Sequence, residues 1–301
     1  MRSARWWLTE SAPARLVAGT VRTGSQQRIT GLAGEAAFFA VLSLPPLLLG
    51  LVGLLGYLAE ALGRDTVGPV REALLTSSTT VLSPQVVTTA VQPTLDEVLG
   101  RGRAGLSIAA FVVALWSGSR VLDVYIDTIT VLYGLSGYRG VARQRLMSAL
   151  LYTVGLVVGV ALVPLVVVGP DVAARLLPGL GALAHLVYWP VVLLLSVAFL
   201  STLYHLAIPV RTPWLENLPG AVVALAAWIG GSIALRAYLG LSLQHSPVYG
   251  SLAAPVAVLL WFYVTSLAVL VGATINAELD HLRPHRTTAR TRAAAETELA
   301  R

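Results

Sequence analysis

Acid, amide and imidazole side chains bind metals, move protons and hold polar cargo, and in this chain they are few and unevenly placed. The five histidines stand at 185, 205, 245, 281 and 285. His281 and His285 have an i,i+4 spacing that could present two imidazoles to one metal, but Pro284 lies between them and no third ligand accompanies them. His185 and His205 lie near the two ends of one apolar stretch and could relay protons, although interface or packing roles suit them equally well. The chain contains no Cys, and all 21 of its basic residues are Arg. Disulfides, thiolate sites and cysteine nucleophiles are thereby excluded, as are a P-loop lysine and a Schiff base. No nucleophile–base pair and no metal motif presents itself, so the expectation is a protein that is not an enzyme and carries no metal or cofactor.

The polar residues that remain gather beside apolar runs. Glu35 precedes one run, which holds Ser43 and Pro45; Ser117, Ser119, Arg120 and Asp123 close a second; Asn276 and Glu278 close the last. An unpaired ion in hydrocarbon costs about 2.5–3.5 kcal/mol, so Glu35 should be protonated, hydrated or paired. Arg120 is the partner expected from its depth, while separate snorkelling to headgroups is the simpler alternative. Arg120, Asp123, Asp127 and Thr130 share one helical stripe, with Val121, Leu122, Val124, Ile129 and Leu132 opposite. That pattern predicts an amphipathic helix at the membrane interface or beside a wet cavity. Asn276 and Glu278 lie about 200° apart on a helix and cannot serve one site together. Asn276 continues the line Trp261, Thr265, Ala268, Gly272, a small-and-polar face suited to helix contact. Glu278 belongs with Val271 and Thr274, nearer water.

The elements that must position these groups follow from hydropathy. Of the 301 residues, 56% are hydrophobic and only 12% charged, against about a quarter charged in soluble domains. The apolar excess is cut into runs long enough to cross a bilayer, which takes about 20 residues per helix. The prediction is an all-α polytopic membrane protein with six spans, at about 36–59, 104–119, 146–169, 179–209, 218–235 and 249–277. Residues 1–30 form an N-terminal segment, 31–282 the transmembrane domain and 283–301 a disordered tail. Fifteen Arg fall on the side of the two termini and six on the other, which by the positive-inside rule makes the terminal side cytoplasmic. The same topological use of Arg accounts for the +6 charge without nucleic acid. Residues 60–103 are too apolar for a simple outer loop and should hold two short interfacial or re-entrant helices, about 67–82 and 84–99. Pro45-Pro46 within the first span predicts a packing kink, or else a hinge or unwound site.

Four stretches carry a family resemblance across about residues 30–282: EAAFFAVLSLPPLLLG, ALWSGSRVLDVYIDTITVLYGL, LPGAVVALAAW and VYGSLAAPVAVLLWFYVTSLAVLVGATINAEL. In order and at the right spans, they resemble the YihY/virulence factor BrkB family of bacterial inner-membrane proteins, once misnamed ribonuclease BN. Within them Trp116, Pro219, Gly220, Tyr249, Gly250, Trp261 and Gly272 match the pattern at positions suited to helix packing. Thr130 stands where the family usually has Asn, and Thr274 where it often has Glu. The resemblance implies six helices in the cytoplasmic membrane with both termini on the cytoplasmic side. Its old nuclease label is not carried over, because metal-dependent RNA cleavage needs clustered His and Asp that are scattered here. The expected function is transporter- or flippase-like movement of a lipid or envelope precursor, with membrane lipids as partners and a homo-oligomer admitted. The alternative is a non-transporting scaffold for envelope assembly.

Overall fold

The computed structural model describes residues 12–62, 92, 104–136, 140–168, 181–210, 212–243, 253–282, 287–291 and 293. Among these the long elements are seven α-helices: α1 (Ala12–Gln26), α2 (Ile29–Leu62), α3 (Ala104–Leu132), α4 (Val141–Val168), α5 (Gly181–Ala207), α6 (Leu218–Leu243) and α7 (Ala253–Leu282). A 3₁₀ turn, Trp214–Asn217, leads into α6. Helices α2 to α7 each contain a stretch long and apolar enough to cross a membrane. The protein is therefore an all-α, multi-pass membrane protein. The expected outer helices at 67–82 and 84–99 lie outside the described residues, as do Tyr249 and Gly250.

The span limits differ from expectation where charge or proline had set them. Helix α3 continues past Arg120, as the amphipathic stripe predicts, and runs unbroken through Asp123 and Asp127 to Leu132, so that its apolar stretch extends beyond 119. Its second half is packed rather than interfacial: Val124, Tyr125, Ile126, Thr128, Ile129, Thr130 and Leu132 are all buried. Charge tolerated on one side and packing on the others explain this, since only Asp127 is exposed between 124 and 130. Thr128 and Thr130 turn their hydroxyls back to the carbonyls of Val124 and Ile126, at 2.6 and 2.7 Å, and so become compatible with a buried wall. The helix ends at Gly134, whose φ of 67° is cheap only for glycine. There the Gly134 N–H meets Val131 O and the Leu135 N–H meets Thr130 O, both at 2.9 Å, a Schellman closure read from the Tyr-Gly-Leu of the sequence.

Helix α2 keeps its helical assignment across Pro45 and Pro46, so this stretch is not unwound. At about 1.5 Å per residue its 34 residues reach about 51 Å, well beyond a hydrocarbon core of about 30 Å. The tail expected to be disordered has helical residues 287–291, and Thr288 is fully buried and donates to Asp280 Oδ1 at 2.9 Å.

The chain divides into two compact units, Phe39–Gly118 and the rest. In the smaller, α2 and α3 pack closely: a Cβ at Gly50 would lie 3.2 Å from Phe111 Cα. In the larger, the core joins the start of α2 (Ile29, Ala33, Ala36), the end of α3, the end of α5 (Leu203, Tyr204, Ala207), the start of α6 (Ala221, Ala224) and the end of α7 (Leu270, Ala273, Ala277). These ends belong together because alanines at the contacts let backbones approach. Away from this core α4 and α5 expose Leu146, Leu150, Val154, Val157, Leu194 and Phe199, apolar faces suited to lipid.

Candidate functional site

Among the described residues, helices α6 and α7 form an extensive pair. They cross where Gly220 faces Gly272: a Cβ on either would fall inside contact distance of the other's carbonyl oxygen. Tyr204 from α5 closes the crossing, its hydroxyl donating to Val269 O at 2.8 Å. Further along, Trp228 Nε1 donates to Thr265 Oγ1 at 3.1 Å, and the Trp228 and Trp261 rings meet edge to face. Helix α3 joins through Tyr125, whose hydroxyl donates to Ser266 Oγ at 2.8 Å.

The start of α6 has a further problem. The first amides of a helix have no intrahelical acceptor, and here that end is buried. Pro219 removes one such N–H outright. Asn276 of α7 supplies an acceptor for the next across the crossing: its Oδ1 accepts from Gly220 N at 2.7 Å, and its Nδ2 donates to Asn217 O at 3.0 Å. One amide thus caps a helix from its neighbour, and at 2% exposure it does so out of contact with solvent.

Beside this cap lies a cavity of about 260 Å³. Its buried walls are Tyr133, Thr212, Asn217, Asn276 and Asp280, while Glu216 and Pro219 are exposed and Leu279 half-buried at the rim. The surrounding turn is held by α5, since Ser201 Oγ donates to Trp214 O at 3.2 Å and Trp214 Nε1 to Thr202 Oγ1 at 3.2 Å. Two buried polar atoms in the walls, Asn217 Nδ2 and Thr212 Oγ1, have no hydrogen-bond partner among the described residues. An unmatched buried donor costs about 1–3 kcal/mol, so these two atoms favour a guest that can pair with them.

A second polar group joins α3 to α4. Asp123 accepts from Gln144 Nε2 and Ser148 Oγ on one oxygen, each at 3.3 Å, and faces Arg120 and Arg145 on the other, each at 3.2 Å. Arg120 therefore meets Asp123, one turn along its own helix, rather than Glu35. Glu35 is exposed, and among the described residues it forms no ion pair. Glu278 is held from α1, where Thr23 Oγ1 donates to it and Gly19 passes close by. It lies away from the Asn276 cap, as the helical spacing predicts.

Among the other predicted site residues, Ser43 and Ser117 are buried and bond backbone carbonyls of their own helices. Ser119 is buried, Trp116 and Pro45 are exposed, and Trp261 is 40% exposed beside Trp228 and Phe262. Thr274, where the resembled family often has Glu, is fully buried and bonds Leu270 O at 2.7 Å. His205 Nδ1 is buried without a hydrogen-bond partner among the described residues, and His281 is exposed.

Sequence reasoning did not single out Thr212, Asn217 or Asp280. Two signals were present. Asn217 immediately precedes Leu-Pro-Gly, the place of a helix N-cap, and Asp280 follows Asn276 by one helical turn on the face of Gly272.

Residues 20–297 match the family model described as "Virulence factor BrkB". The chain is also 25% identical over 252 residues to a Bacillus subtilis (strain 168) protein named "Putative ribonuclease-like protein YfkH", covering 81% of this chain and 88% of that one. No solved structure matches the chain.

Proposed function

We propose, from the premise that this chain belongs to the virulence factor BrkB family, that it is a transporter-like protein of the bacterial cytoplasmic membrane. Its cargo on this reading is a lipid or envelope precursor, handled at the end of the bundle where its termini lie. The observation that carries the reading is the cavity beside the α6 start, with buried polar atoms unmatched by the protein itself. A structural interior would match those atoms with each other or with backbone. The apolar outer faces of α4 and α5 supply the lipid contact that such a protein needs. Glu35, exposed within the apolar stretch Ile29–Gly50 of α2, is the group proposed to carry protons if movement is coupled to a gradient. The protein is not an enzyme on this reading, and the ribonuclease-like wording of the B. subtilis relative's name is not extended to it.

Reconstituted liposomes are expected to move at least one member of a panel of fluorescent lipids and lipid-linked precursors faster than protein-free liposomes. Glu35→Gln should abolish any dependence of that movement on a pH gradient. Incubated with RNA, the same preparation should leave it uncut. Failure to move every panel member would remove the transport reading in favour of the scaffold.

The orientation proposed from the Arg distribution has its own check. Because the chain contains no Cys, single variants report cleanly. Ser25→Cys in α1 and Ala289→Cys beyond α7 occupy exposed positions. Both are expected to resist a membrane-impermeant maleimide in intact cells and to react once the membrane is opened. Labelling of either in intact cells would invert the orientation.

A further inference from the structure

We infer that the cavity beside the α6 start is a binding site for a hydroxyl-rich group of the size of one sugar ring. The inference deepens the transport reading and rests on the same cavity. At about 260 Å³ the cavity falls just below the usual range of about 300–1,000 Å³ for drug-sized ligands, which suits a single headgroup rather than a whole amphiphile.

Its walls decide the chemistry by elimination. Among the described lining residues Glu216 and Asp280 are carboxylates and none is cationic, so this lining offers a phosphate or carboxylate no matching charge. An acyl tail would leave Asn217 Nδ2 and Thr212 Oγ1 unmatched, as they are now. A simple ammonium would suit the carboxylates but offer nothing to the Asn217 amide, which can only donate through Nδ2. A sugar hydroxyl both donates and accepts. It can give its proton to Asp280 or Glu216 while a neighbouring hydroxyl receives one from Asn217. Asp280 is already oriented by Thr288, which donates to its Oδ1 at 2.9 Å, and Asn276 is engaged as the helix cap through both its oxygen and its nitrogen. The buried lining atoms with no partner among the described residues are Asn217 Nδ2 and Thr212 Oγ1.

The test uses full-length protein in nanodiscs, with saturation-transfer NMR on four probes: glucose, N-acetylglucosamine, ethanolamine and glycerol 3-phosphate. At least one of the two sugars is expected to receive saturation, and the effect should fall about fivefold or more in the Asn217→Leu, Thr212→Val double variant. Should the double variant unfold, Thr212→Val alone carries the test, because it keeps the side-chain shape and removes only an unbonded hydroxyl. The inference is overturned by an absence of saturation in both sugars, by an unchanged sugar signal in the variants, or by saturation confined to ethanolamine or glycerol 3-phosphate. Sugar binding without lipid or precursor movement would remove the transport reading and leave the site standing. Movement without sugar binding would do the reverse.

Discussion

Gly272→Val is expected to lower the unfolding free energy of the purified protein by about 3–5 kcal/mol. A Cβ at Gly272 would meet Gly220 O, lie 2.6 Å from Tyr204 Oη and lie 2.7 Å from Ala224 Cβ. None of these can yield cheaply. Gly220 O is backbone, Ala224 is fixed by its helix, and the Tyr204 hydroxyl is bonded to Val269 O. Overpacking alone costs about 1–3 kcal/mol. Parting the helices also stretches the two Asn276 hydrogen bonds, each worth about 0.5–1.5 kcal/mol. Gly230 is the control, since a Cβ there meets nothing within 4 Å, and Gly230→Ala should be neutral or slightly stabilising. Reversible denaturation in mixed micelles measures both variants. Equal midpoints for Gly272→Val and Gly230→Ala would show that the crossing does not carry the fold.

Much of this architecture was legible because the bilayer demands it. Six apolar runs required six helices, and the line from Trp261 to Asn276 marked the face on which α7 meets α6. What spacing along one helix could not give was the partner. Asn276 bonds Asn217 and Gly220, 59 and 56 residues earlier, and nothing local to Asn276 announces either. The cavity is harder still, because its walls come from three separate stretches, around 133, 212–219 and 276–280. Charge misled in the opposite direction. Arg120 and Asp123 suggested an end to the second span, though not to its helix, and Arg120 suggested a partner for Glu35 across the bundle. Asp123 instead engages Arg120 within the same helix, where no long loop must be closed, and gathers Arg145 from α4 as well. A helix can continue through charges that neutralise one another. The Thr residues at 130 and 274 follow the same logic, since a hydroxyl that bonds the preceding turn's carbonyl can occupy a buried wall without an external partner.

Those considerations move the most informative substitution from Glu35 to Asn276. Asn276→Leu keeps the volume of the side chain and removes both of its bonds, leaving the Gly220 N–H buried without its acceptor, while Asn217 C=O keeps the first bond of the helix ladder. Such a group costs about 1–3 kcal/mol, so a loss of about 1–3 kcal/mol is expected in the same denaturation assay. Interhelical side-chain bonds in membrane proteins are often weaker, averaging about 0.6 kcal/mol, because the separated helices find other partners in the bilayer. The larger figure applies here because the stranded group is a backbone N–H at a helix start, where the ladder offers no substitute. A loss near 0.6 kcal/mol would mean that the α6 start finds another acceptor and that the cap is dispensable. Combining Asn276→Leu with Gly272→Val tests the arrangement further. If one crossing holds both features, Gly272→Val has already displaced Gly220 from Asn276, and the double variant should lose less than the sum of the singles. Strict additivity would show that the glycine contact and the amide cap act independently. A variant with unchanged stability and lost lipid or precursor movement would instead place Asn276 on the cargo path, because a cap that contributes nothing to folding has only the cavity left to serve.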